Sequence, residues 1–131
     1  MYKKLLIAFS ITGFLAVALG AFGAHGLKPF LNEHQTAIYE KGVYYQFFHT
    51  LAALFALLYF KVSDNRKMLT VALLFLVGII CFSGSLYLLA TNDLNHIPTI
   101  ILGPVTPLGG LFFLAGWVTL FLTAFQEKQH A

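Results

Sequence analysis

His49 stands inside the run "YYQFFHTLAAL", where neighbouring side chains are aromatic or aliphatic. Tyr45 lies four residues before it and Gln46 three before it, so one helical face can carry all three. A buried imidazole needs partners, and ionisable groups within long apolar segments are often functional. The polar residues that could join it are His25 at the end of the first apolar run, Ser83, Ser85 and Tyr87 in the third, and Thr106 at the start of the fourth. Hydrogen bonds among them would fix the register of packed helices. The competing chemistry is a ligand-binding or proton-handling site built from His25, Gln46, His49, Ser85, Tyr87 and Thr106. A metal site finds little support, because His25, His49 and His96 lack the H-x-x-x-H spacing and no carboxylate falls within an apolar run. Ser83 and His49 could meet as nucleophile and base, yet serines in such segments more often bond the backbone or a neighbouring helix. No nucleophile elbow, carboxylate pair or phosphate-cradling loop is present, and the glycines of "GAFGAHG" follow no strand. The expectation is a protein without catalytic residues, metal or cofactor, and not an enzyme.

The elements that must position these residues follow from composition. Of 131 residues, 59% are hydrophobic and 10% charged, with a mean hydropathy of +0.80, whereas soluble domains are typically about 25% charged. A small soluble core could not hide this much apolar surface. The formal net charge is +3, but the basic residues are scattered singly or in pairs, so nucleic acid is not an expected partner. Cys81 is the one cysteine and reads as a small packed hydrophobe.

Crossing a bilayer core takes roughly 20 apolar residues, and four segments qualify, at about residues 5–24, 43–60, 68–90 and 107–125. Four spans place both termini and the loop around Asp64 on one side, with Lys3, Lys4, Lys61, Arg66, Lys67 and Lys128; the other side holds Lys28 and Lys41. The excess of positive charge predicts that both termini are cytoplasmic. "MYKK" followed by an apolar run also resembles a signal peptide cleaved after Ala24. The run is longer than a signal core of about 7–15 residues and lacks a polar segment at its end, so it is read as a span.

Ala16, Gly20 and Ala24 recur every four residues, and Gly13 precedes Gly20 by seven. Gly78 and Ser85, and Gly109 and Gly116, repeat the seven-residue spacing in the third and fourth spans. Small residues let helices approach closely in lipid, and the expected fold is an all-α membrane protein, an antiparallel four-helix transmembrane bundle. Asn32 followed by Gln35 resembles a capping box and opens a short interfacial helix at about 32–42, between spans one and two. In "HIPTIILGPVTPLGG" the prolines point to Thr106 as an N-cap and Pro107 as the first helical residue, with "IIL" either dipping into the interface or re-entering it as a short, protein-shielded piece. The polar residues of all four spans then gather in the outer half of the bilayer.

"GAFGAHGL", "YYQFFHTLAAL", "FSGSLYLL" and "GPVTPLGGLFFLAGW" resemble, in that order, the motifs of the YgdD-like family of small integral membrane proteins, domain of unknown function 423. The resemblance covers almost the whole chain. It implies a four-span protein of the bacterial inner membrane and transfers no catalytic residue. The functional expectation is an accessory, assembly or lipid-associated component with the bilayer, and a membrane protein or a second copy, as partners. The alternative is a binder or carrier of a small ligand held by the outer polar residues, similar to the broken-helix sites of transporters.

Overall fold

The structure, a computed structural model, describes residues 1–127. Lys128, expected among the cytoplasmic basic residues, lies outside them. The described residues form helices and no strand: α1 (Tyr2–His25), α2 (Glu33–Ser63), α3 (Lys67–Gly78), a π-helical turn (Ile79–Ser83), α4 (Gly84–Ala90), α5 (Asn92–Asn95), α6 (Thr99–Leu102) and α7 (Val105–Glu127). Four stretches, Tyr2–His25, Glu33–Ser63, Lys67–Ala90 and Thr99–Gln126, are long and apolar enough to cross a membrane.

The second stretch corrects the sequence reading. The separate helix expected over 32–42 is the opening of α2, which runs unbroken for 31 residues. The capping box starts it: Gln35 N–H donates to Asn32 Oδ1 and Asn32 N–H to Gln35 Oε1, each at 2.9 Å. Gly42 would weaken an isolated helix by about 1 kcal/mol. It is buried under α4 instead, where a Cβ would stand 3.0 Å from the Tyr87 ring. The composition changes at Gly42, but the backbone hydrogen bonds do not require apolar neighbours and continue through it. At the other end Asp64 adopts a left-handed φ of 52° and closes α2 with its N–H on Phe60 O at 2.8 Å.

Thr106 is also corrected. α7 begins at Val105, so Thr106 lies inside the first helical turn rather than capping it. Pro107 is tolerated there because first-turn N–H groups have no intrahelical acceptor. The "IIL" segment forms α6, with Ile100 and Ile101 exposed and only Leu102 buried, so of the two expected placements the protein-shielded one does not hold.

The third stretch is the most enclosed, with 50% of its most apolar window buried against 17% for α1. α1 lies along α2 and touches α3 marginally, while α7 packs on α3 and the π turn. α1 and α7 have no packed interface, so the helices form an open arrangement around the third stretch. The close seam is between α3 and α7. Phe113 covers Gly78 and Phe75 covers Gly116, where added Cβ atoms would fall 2.4 and 2.5 Å from the rings. At Gly109 a Cβ would stand 2.4 Å from the backbone nitrogen of Phe82, so α7 meets the π turn backbone to backbone. On α1 the small face that meets α2 contains Gly13, Ala16, Gly20 and Gly23, with Ala24 left exposed. The apolar core of Leu5, Phe9, Leu57, Met68, Val71 and Phe75 lies toward the Asp64 turn.

Candidate functional site

Spacing puts Gln46 and His49 on one face of α2, but a separation of three residues leaves them about 60° apart around the axis. The structure uses that angle to give them different partners. Gln46 faces α1 and α4. Its Nε2 donates to Thr12 O at 2.8 Å, and its Oε1 accepts from Tyr87 Oη at 2.7 Å. The Tyr87 ring packs on Tyr39, centroids 5.0 Å apart, and Tyr39 Oη donates to Leu19 O at 2.9 Å. Thr12 Oγ1 lies 3.1 Å from Thr50 Oγ1 and completes this seam.

His49 faces α7 and is 4% exposed. Its Nδ1 is 2.9 Å from Tyr45 O. A carbonyl oxygen only accepts, so the proton is on Nδ1 and Nε2 keeps its lone pair. That lone pair accepts from the Trp117 indole N–H at 3.2 Å. Both ring nitrogens of a neutral imidazole are thereby satisfied within the protein. The ring itself lies flat on Phe113, centroids 3.6 Å apart and planes 9° apart, with Phe75 at its edge.

Ser85 and Thr106 form a third, separate contact at 2.7 Å. Ser85 donates its hydroxyl proton to Phe82 O at 2.9 Å, so Thr106 is the donor to Ser85. This bond ties the start of α7 to α4. His25 is exposed at the end of α1 and has no hydrogen-bond partner among the described residues. Ser83 is fully buried, with its Oγ unpartnered among the described residues, and makes no hydrogen bond to His49.

The candidate residues thus divide into Gln46 with Tyr87, His49 alone with its aromatic neighbours, and Ser85 with Thr106; His25 stands apart. Thr12, Tyr39 and Trp117 were missed by the sequence reading. Tyr39 and Trp117 carry the only available signal, a polar atom on a large ring within an apolar helix, which needs a partner when buried. Between α2 and α7, over Phe82, runs a groove of about 540 Å³ walled by His49, Tyr45, Phe48, Leu114 and Trp117. His49 presents neither an unshared proton nor an open lone pair to it. No three metal-ligating side chains come together among the described residues.

Over residues 19–110 the chain matches the family described as "Protein of unknown function (DUF423)". The chain belongs to this family. It is 41% identical over 128 residues to a UPF0382 membrane protein of Haemophilus influenzae, covering 98% of each. It is 37% identical to the UPF0382 membrane protein YwdK of Bacillus subtilis, over 93% of this chain and 96% of that protein. The UPF0382 inner membrane protein YgdD of Escherichia coli is 37% identical over 97% of this chain and 93% of its own. No solved structure matches the chain. Family membership and the four apolar helices make it a membrane protein.

Proposed function

We propose that the chain is a non-enzymatic, multi-pass component of the inner membrane, acting by association as an accessory, assembly or lipid-associated protein. The observation that carries this reading is the satisfaction of His49 at both ring nitrogens, by Tyr45 O and the Trp117 indole. With both ring nitrogens bonded inside the protein, His49 ties α2 to α7 and turns neither nitrogen toward the groove.

The same reading makes the four spans antiparallel, with both termini in the cytoplasm. It is supported by the pairing of the start of α1 with the end of α2, where Tyr2 and Phe60 rings are 5.8 Å apart, and of Leu19 with Tyr39 farther along. The excess of basic residues on the side of the termini and the Asp64 turn supports that sidedness. At about 1.5 Å per residue α2 is about 46 Å long, against a bilayer core of about 30 Å. Its first turns, opened by the capping box, therefore extend into the outer headgroup region.

His49→Ala tests the structural role: it should lower the unfolding temperature in detergent. A variant as stable as wild type that abolishes a cellular phenotype would overturn it. The groove of about 540 Å³ beside His49 favours one second reading, a binder of a small ligand, since such sites span about 300–1,000 Å³. Native mass spectrometry after mild extraction separates the two: a co-purifying protein supports the first reading, a stoichiometric small molecule the second.

A further inference from the structure

We infer that a groove between α1 and α2 holds one ethanolamine-type phospholipid, with its zwitterionic headgroup on Lys41 and Glu40. This rests on the membrane placement of α1 and α2 proposed above and specifies which lipid the protein associates with. The groove encloses about 770 Å³, and its lining is mostly apolar. Gly20, Gly23 and Ala24 supply one wall from α1, and Val43 and Phe47 supply the other from α2. Val43 and the Tyr39 ring pack over Gly20 and Gly23 themselves, and the groove runs beside them, past the exposed Ala24 and Phe47, where a hydrocarbon chain can lie. Tyr39 bridges the helices through its bond to Leu19 O, so the channel has a fixed depth.

The polar residues of the lining lie together. Thr36, Glu40 and Lys41 come from consecutive turns of α2, in the part that extends beyond the bilayer core. Glu40 and Lys41 are exposed, and neither makes an ion pair or hydrogen bond among the described residues. As successive helical residues they do not face each other and so do not neutralise one another. They present one negative and one positive group at the mouth of an apolar channel. A phosphoethanolamine headgroup carries the opposite pair: its phosphate meets the Lys41 ammonium and the Thr36 hydroxyl, and its ammonium meets the Glu40 carboxylate. Tyr44, an exposed aromatic ring in the same lining, adds cation–π attraction for that ammonium. An anionic lipid lacks the cationic half and places uncompensated negative charge beside Glu40. The complementarity therefore favours a zwitterion with a primary ammonium.

The test is native mass spectrometry of the full chain released from nanodiscs of equimolar phosphatidylethanolamine and phosphatidylglycerol. Wild type should retain one phosphatidylethanolamine in preference to phosphatidylglycerol. Glu40→Gln, a surface change that leaves the fold intact, should reduce that preference by about tenfold, the effect of losing one charge-assisted hydrogen bond. Ala24→Phe should fill the channel and abolish retention of either lipid. Equal retention of the two lipids, preference for phosphatidylglycerol, or a phosphatidylethanolamine preference unchanged in Glu40→Gln would overturn the inference. The unfolding temperature of His49→Ala, measured in the same nanodiscs, reports on the structural reading independently of which lipid is bound.

Discussion

The α3–α7 seam and the α1–α2 seam both use glycine for close approach, but they are fixed by different contacts. On α3 and α7, glycines remove side chains where the partner's phenylalanines arrive, and at Gly109 the backbones themselves meet. On α1 and α2 the fixing contacts are polar: Gln46 and Tyr39 on α2 reach the main-chain carbonyls of Thr12 and Leu19 on α1. Lipid tails are as apolar as the side chains they would replace, so neither seam gains from a hydrophobic drive, and each needs close packing or hydrogen bonds. On α1, Val43 and the Tyr39 ring also pack closely over Gly20 and Gly23, and the groove of about 770 Å³ runs beside those contacts.

The contrast breaks most sharply at Gly109. Gly109→Ala should lower unfolding stability in detergent by about 3 kcal/mol, because the methyl group meets the Phe82 backbone, which cannot rotate away. Gly110→Ala, whose nearest neighbour is the Phe82 ring at 3.9 Å, should change it by less than about 0.5 kcal/mol. Equal effects would mean that close backbone approach is not what holds this seam. On the other seam Gln46→Leu should cost about 1–2 kcal/mol, since it removes two bonds and leaves the Tyr87 hydroxyl without its acceptor. In a His49→Phe and Trp117→Phe cycle, each single change should cost about 1 kcal/mol and the double less than their sum, as each single leaves the other partner unpaired. Additive losses would show that the pair is not coupled. The smallest effect belongs to the capping box: Asn32→Ala should cost about 0.5 kcal/mol and speed amide exchange in the first turn of α2.

Much of the architecture was legible because it follows from length and local chemistry. The four apolar stretches need only a count of residues, and Asn32 with Gln35 form their box from positions three apart. The seven-residue glycine spacings marked the α3–α7 seam for the same reason, since they report a bare face whatever packs on it. Partner choice was not legible. Gln46 and His49 share a face by spacing, but their different partners depend on where α1 and α7 sit. The π turn at Ile79–Ser83 has no local signal, and it appears where the backbone of Phe82 meets Gly109. Thr106 looked like a cap because hydroxyls favour that position, whereas its acceptor is Ser85, on another helix.

That the buried polar groups hold the bundle together is tested most directly by nitrogen NMR of His49 in nanodiscs at neutral pH. The imidazole should be neutral, protonated on Nδ1, with Nε2 hydrogen-bonded to the Trp117 indole proton. A proton on Nε2, or an imidazolium, would contradict the structural role of His49.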